Sequence, residues 1–472
     1  MRSLILGAAL LPSVALAGSI QSPGVIAGPD SGPATVDPAA VFYNPAAIAP
    51  AEGFHGMFDL QTAFVRVEAT TTRNEGLDPN TGEAYDPAKA NAIVPVGLIG
   101  ATYKIIPKRL AVGFVVTQPF TGGGDYTAGE PDDEAPYTSH SRYAGIQTRV
   151  ITLQMMPAVG VTIVDGVHVG AGAGFVFDYI SVLQASDPFG TEGTSLDGST
   201  PYANDTLLQA SATGGHFAWN AGVFIDKFKW LQVGASFSGG GTFRAKGKGT
   251  VTLPEESPLA NENYTGPVDA LASFEMPLPA VVRVSVASEF GKFRVGAGYE
   301  YTYWNVAAGD AEGDLHVNLT DADGGTIDAD NGVSSSVGPD IYSPRRLWNA
   351  ANFNATFNYK PADRVEILHR LMYNQNAVPD YAVSPSNLDF TNIGGQLGVR
   401  VKVGGPVTLG LAYTKYFPLT REISTSAWDV RDAADQYYVD DRFSAKNPYK
   451  AGTNGTYSAD VDIVGLRVQV DL

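Results

Sequence analysis

Two alternations govern this chain of 472 residues. Apolar residues recur at every second position along most of it, and short and long connections take turns between those stretches. In residues 352–359, Phe353, Ala355, Phe357 and Tyr359 share one face against Asn and Thr on the other. Leu397, Val399, Val401 and Val403 alternate with Gln396, Gly398, Arg400 and Lys402, and Phe293, Val295, Ala297, Tyr299 and Tyr301 follow the same rule. Successive side chains of a strand point to opposite faces, so each stretch reads as a strand with one apolar face and one polar or small face. No stretch of comparable length carries helical periodicity.

Segments of this kind fall near 54–71, 93–105, 108–121, 145–163, 167–185, 207–225, 228–249, 271–289, 292–306, 344–360, 363–376, 391–403, 406–423 and 457–472. The count is even, which suits a closed single-chain barrel, and most segments exceed the roughly 9–11 residues that a tilted strand needs to cross a bilayer. Alternate links are tight, at 106–108, 165–166, 226–227, 290–292, 361–363 and 404–406, whereas 72–92, 122–144, 186–206, 250–270, 307–343, 377–390 and 424–456 are long. Short turns at one end and long loops at the other are the layout of an outer-membrane barrel with its loops outside the cell. The expected fold is all-β: a transmembrane antiparallel β-barrel of about 14 strands over residues 54–472.

Composition removes the competing classes. No apolar run beyond the first twenty residues approaches the ~18 needed for a membrane helix. The absence of cysteine excludes a disulfide-stapled scaffold and a cysteine-ligated metal centre. A formal charge of −18 without basic clusters excludes nucleic acid as a partner. Residues 1–17 read as a signal peptide: Arg2 precedes an apolar core from Leu4 to Leu16, and Ala15-Leu16-Ala17 is a small-residue cleavage site. At the other end Val464, Leu466, Val468, Val470 and Leu472 share one face, which resembles a barrel-assembly signal with Leu in place of the usual terminal aromatic.

The long loops hold roughly two-thirds of the 49 acidic side chains and few of the basic ones, leaving the remainder mildly basic. The 307–343 loop carries Asp310, Glu312, Asp314, Asp321, Asp323, Asp328, Asp330 and Asp340 without Lys or Arg. Carboxylates are costly in lipid, so confinement to loops is their default place. Divalent cations bridging them to lipopolysaccharide phosphates are the sharper reading. The 321–330 run lacks an EF-hand's spacing, and no metal site or cofactor is expected.

Residues 18–53 precede the first strand and are rich in Gly, Pro and Ala. Within them, residues 34–49, A-T-V-D-P-A-A-V-F-Y-N-P-A-A-I-A, resemble the N-terminal hatch of the FadL-type outer-membrane transporters of long-chain fatty acids and aromatic hydrocarbons. Similarity continues through 152–182, through Ser273-Phe274-Glu275-Met276-Pro277 and through 373–413, and so covers essentially the whole mature chain. The resemblance implies a monomeric barrel whose lumen holds a small hatch over 18–53. Its motif falls on Asn44, Pro45 and Ala46, and the ligand is a hydrophobic small molecule taken up passively. It places a kink of the third strand, and with it a lateral opening to the membrane, near Pro119, Phe120 and Gly122, and brings the mature N-terminus, Gly18, Ser19 and Ile20, to the ligand. Pro119 fits that role independently, since it cannot donate a ladder hydrogen bond.

Other classes remain in view. A general porin or an acidic-surface adhesin or structural barrel shares the strand pattern. An enzyme is not expected, because none of His55, His140, His168, His216, His316 and His369 stands in a catalytic motif. Arg283, Arg294, Arg364, Arg370, Arg400, Lys402 and Arg467 fall on polar strand faces beside Glu300 and Glu366. They either attract a carboxylate ligand or brace the lumen through ion pairs.

Overall fold

Fourteen antiparallel strands close into a ring. The computed structural model describes residues 28–71, 87–126, 145–186, 206–228, 230–252, 267–304, 315–320, 340–343, 347–385, 387–426 and 453–472. The strands are β1 (Phe54–Thr71), β2 (Ala88–Ile106), β3 (Leu110–Thr117, resuming as Gly122–Asp125), β4 (Gln147–Val164), β5 (Val167–Ser186), β6 (Thr206–Phe228) and β7 (Leu231–Ser238 and Gly241–Thr252). They continue as β8 (Pro267–Leu278 and Ala280–Phe290), β9 (Phe293–Tyr303 and Leu315–Thr320), β10 (Asp340–Ser343 and Ala350–Ala362), β11 (Val365–Asn374), β12 (Asn392–Gly404), β13 (Val407–Pro418 and Arg421–Ile423) and β14 (Gly455–Asp471).

Each strand pairs with the next, and β14 returns to β1 from His55↔Asp471 to Thr71↔Gly455. Phe54 and Leu472 exchange backbone hydrogen bonds of 2.9 and 2.8 Å at the end of that seam. Closure leaves no sheet edge to satisfy, which is the condition for spanning lipid with strands.

The two faces are sorted opposite to a soluble protein. Phe353, Leu397, Leu411 and Phe417 are more than half exposed on the outside, while Asn352, Asn358, Gln396 and Thr414 are buried inside. Apolar residues therefore face the hydrocarbon and polar ones the lumen.

The strand map departs from expectation at two kinds of place. Residues 307–343, expected as one loop, contain Leu315–Thr320, which extends β9 against β8 (Leu271↔Thr320), and Asp340–Ser343, which pairs with that extension. These short runs are submerged among acidic neighbours in the sequence. Conversely, β7 and β8, expected to run unbroken, are interrupted at Gly239–Gly240 and at Pro279. Pro279 lacks the amide hydrogen that a continuous ladder needs.

Residues 28–53 enter the ring and turn once as helix α1 (Ala40–Tyr43) and once as a 3-10 turn (Pro45–Ile48). Residues 39–49 are all buried.

Candidate functional site: the lumen and a break in its wall

The lumen has two zones. Toward the long-loop end its inward side chains are mostly apolar, with the Asp178–His216 pair (2.8 Å) as a polar exception: Val65 and Val67 on β1, Val94 and Val96 on β2, Phe243 on β7, Phe274 on β8 and Ile463 on β14 are all buried. Toward the short-turn end they are polar or charged, with Asp59, Gln61, Lys104, Arg283, Glu300 and Arg467 buried. A plain aqueous pore is polar throughout. An apolar upper chamber is a lining for an apolar solute.

The N-terminal segment occupies the polar end, seated on glycines. At Gly113, Gly160, Gly170, Gly222 and Gly234, on β3 to β7, an added Cβ would collide with Val41, Ile48, the Pro45–Ala46 peptide, Asn44 and Pro33 respectively, at 2.0–2.7 Å. Lacking side chains there, the wall admits the segment's backbone directly. Hydrogen bonds then fix it. The Asn44 amide donates to the carbonyls of Pro33 (2.9 Å) and Val223 (3.0 Å), and its Oδ1 accepts from the Ala46 amide (3.2 Å), capping the 3-10 turn. Asn220 donates to the carbonyls of Val41 and Phe42, both at 2.9 Å, and Ser236 to that of Tyr43 at 2.5 Å. Lys104 donates to the Ala49 carbonyl. Pro45 and Ala46 contribute by fit: Pro at the first turn position needs no amide partner, and Ala46 is fully buried.

Charge locks the same segment. Arg467 Nε contacts Asp59 at 2.8 Å, and its Nη1 reaches Asp30 at 3.5 Å and Asp37 at 3.4 Å. Arg400 pairs with Asp30 and with Glu366, Arg370 donates to the Ser31 carbonyl, and Arg294 to that of Ala34 at 3.0 Å. Arg283 pairs with Glu300 at 2.6 Å and lies over the rings of Phe42 and Tyr43. Of the two alternatives for the strand arginines, ion pairing describes Arg283, Arg294, Arg400 and Arg467, while Arg370 is held, among the described residues, by the Ser31 carbonyl alone. Arg364 and Lys402 are exposed beside short turns instead.

Burial by itself would raise the Asp30 carboxyl, but Arg400 and Arg467 overcome it and hold the group below the ordinary carboxylate range. At Asp37 burial wins over Arg467 and the carboxyl is raised. The signs are opposite in effect. Ionised Asp30 stabilises the seated segment above pH ~4 and loses that contribution only as pH falls through its lowered value. Ionised Asp37 opposes seating at neutral pH, and its protonation on acidification relieves that. Mild acid, pH 5, is therefore expected to leave the segment in place. Asp30→Asn, which takes one carboxylate from two guanidinium groups that keep Asp59, Asp37 and Glu366, is expected to cost on the order of 1–3 kcal/mol, whereas Asp37→Asn should cost less at pH 7. Thermal unfolding followed by heat-dependent gel mobility measures both.

The wall breaks in the third strand. Pairing of β2 with β3 stops at Leu98↔Thr117. Gly122–Asp125 pairs only with β4, Gly122↔Val150 to Asp125↔Gln147, so no ladder joins this part of β3 to β2. Four residues, 118–121, face three on β4, because Thr117 pairs with Gln154 and Gly122 with Val150. The excess residue buckles the strand inward. The Phe120 amide donates to the buried Thr152 hydroxyl at 2.8 Å, and the Phe120 ring packs on the apolar cluster that contains Val150, Phe243 and Phe274. Pro119 and Phe120 line a cleft shared with Phe42 of the N-terminal segment. Gly122 takes part in pairing rather than interrupting it.

The expected site residues thus fall in two neighbouring groups, Asn44, Pro45 and Ala46 in the seat and Pro119 and Phe120 at the break, with Phe42 between them. Gly18, Ser19 and Ile20, the signal peptide and most of the acidic loops lie outside the described residues. Asp30, Asp37, Asn220 and Ser236 were not anticipated. Asp30 and Asp37 follow Gly- and Pro-rich sequence and look like loop residues until Arg467, some 430 positions later, is seen beside them.

A family model described as "Outer membrane protein transport protein (OMPP1/FadL/TodX)" matches residues 19–307. No curated protein sequence matches the chain. Among solved structures, the chain is similar to a Pseudomonas aeruginosa FadL homologue, at 15% identity and a TM-score of 0.71 over 98% of both chains. It is also similar to the Ralstonia pickettii toluene transporter TbuX (14%, TM-score 0.60, 94% of this chain and 98% of that one). The P. putida toluene transporter TodX compares at 12% and 0.62 over 93% of this chain and 95% of its own. At such identities the likeness is one of fold.

Proposed function

Since the chain belongs to the outer membrane protein transport family (OMPP1/FadL/TodX), we propose that this outer-membrane barrel passively takes up hydrophobic compounds, long-chain fatty acids or hydrocarbons. The residues 28–49 act as its hatch, and the β2–β3 break as a lateral exit into the membrane. The observation that carries this reading is the adjacency of three features: an apolar upper lumen, a plugged short-turn end, and an unpaired seam whose lining reaches the plug through Phe42.

The physics favours that route. Burial is worth ~0.8 kcal/mol per methylene, so a sixteen-carbon chain resists water by roughly a dozen kcal/mol. An exit through the wall moves such a solute from an apolar chamber to lipid without crossing the periplasm. No energy source enters, only a downhill path and a hatch whose two positions differ modestly.

Uptake of labelled oleate and of toluene by a host lacking its own transporter tests the substrate class. The chain should raise entry of at least one several-fold over empty vector while leaving a hydrophilic sugar unchanged. Failure with both solutes, with the barrel folded in the membrane, overturns the proposal.

A further inference from the structure

On the outer face of β4 to β7, a row of positive charge stands without an ion-pair partner among the described residues. Arg149, Ser181, Ser211 and Lys248 lie opposite one another in register across β4, β5, β6 and β7. Their chain neighbours Val150, Ile180, Ala210 and Ala212 are buried on the lumen side, so the row points outward. One step nearer the bilayer, Lys246 lies opposite Thr213, which lies opposite Tyr179. Below that, exposed Phe175, Phe177, Phe217 and Trp219 form an aromatic belt of the kind that marks a membrane boundary. The charged row therefore sits where lipid tails give way to headgroups, at the end carrying the long loops.

Arg149 and Lys248 line one broad cleft. The Arg149 Nε is buried there with no hydrogen-bond partner, a donor that is expensive to leave unmet. Among the described residues, neither Lys246 nor Lys248 is in an ion pair. Arg244, on the same strand face, is taken by Glu275 at 3.0 Å. Asp269 is the opposing carboxylate in the cleft, and it forms no ion pair with Lys248. Ser181 and Ser211 stand between the cations in the strand register and line the same cleft.

We propose that this face binds the phosphate groups of the outer leaflet's glycolipid, with Arg149, Lys246 and Lys248 as the phosphate-binding residues. Cations, hydroxyl donors and an unmatched guanidinium N–H at headgroup height, directly above rings that meet acyl chains, complement a phosphorylated lipid. They do not complement an apolar cargo. The site is separate from the lumen and needs neither the hatch nor the wall break.

The test titrates the purified full chain in detergent with lipid A and with lipid A stripped of its phosphates, reading binding by native mass spectrometry. The wild type should prefer the phosphorylated form. Arg149→Gln/Lys246→Gln/Lys248→Gln should bind it on the order of 100-fold more weakly, at roughly a factor of five for each charge. Lys402→Gln, exposed at the opposite end, should bind as the wild type does. Heat-dependent gel mobility establishes that each variant is folded, and Lys248→Gln alone, expected at about five-fold, serves if the triple variant is not. Equal binding of the two glycolipids by the wild type, or undiminished binding by the folded variants, overturns the assignment. Competition by inorganic phosphate at the lipid's own concentration would do so too, by reducing the face to a simple anion site.

Discussion

Gly170→Val will unseat the N-terminal segment and turn a closed barrel into a conducting one. A Cβ at this position would stand 2.4 Å from both the Ala46 nitrogen and the Pro45 carbonyl carbon. These are backbone atoms of a short turn, unable to swing aside as a flexible side chain would. Overpacking of this kind costs about 1–3 kcal/mol when neighbours can adjust, and more when they cannot. Adding Gly234→Val, whose Cβ would meet the Pro33 carbonyl oxygen at 2.0 Å, presses the segment at a second point. The double variant is then expected to shift the seated population by on the order of 100-fold. Planar-bilayer recording is the direct measurement: silent or rare openings for the wild type, frequent discrete steps for the variant. Gly395→Val is the control, because a Cβ there meets nothing within 4 Å. If Gly170→Val and Gly395→Val conduct alike, the seat has no gating role.

Deleting Pro119 should have the opposite consequence and abolish uptake. The strand then offers three residues to the three that face them on β4, between the pairs Thr117↔Gln154 and Gly122↔Val150. Inward and outward alternation then runs unbroken from Thr117 to Gly122, and β2 regains a partner above Leu98. Each repaired backbone pair contributes about 1 kcal/mol, enough over several pairs to hold the wall shut. Transport of oleate or toluene should fall several-fold, to the level of empty vector, while the barrel stays folded and the segment seated. Uptake at wild-type rate from the deletion variant would move the exit elsewhere. The two experiments separate the parts of the mechanism, since one opens the end of the barrel and the other closes its side.

The wall was readable from sequence because lipid imposes a strict rule on it. Phe353, Leu397 and Leu411 are exposed as their alternation required, and the tight links fall where turns occur. The interior was not readable in the same way. On β2 the inward Val94 and Leu98 adjoin outward Ile93 and Ile99, so both faces are apolar and the alternation that reveals a polar lumen vanishes where the lumen itself is apolar. The breaks in β7 and β8 escaped for a related reason: the inward phase shifts there from even to odd positions, from Ser236 to Phe243 and from Phe274 to Arg283, but small and apolar residues on both faces hide the shift. The cage around Arg467 joins residues from opposite ends of the chain. Periodicity is local and cannot see such partnerships.

The position of the N-terminal segment also sets an order of events during biogenesis. Its anchors are Asn220 and the Val223 carbonyl on β6 and Ser236 on β7, each roughly 180 or more positions downstream. Its arginine clamps come later still, Arg294, Arg370 and Arg400 and finally Arg467 on the last strand. The wholly buried 39–49 stretch is thus made early and lacks these anchors until half the chain has emerged. Pairing of β1 with β14 joins strands some 400 residues apart, the slowest kind of encounter in a chain's self-assembly. During that interval the apolar stretch travels unsheltered. A periplasmic holding factor that masks short apolar segments would therefore govern the yield of this protein more strongly than its final stability does.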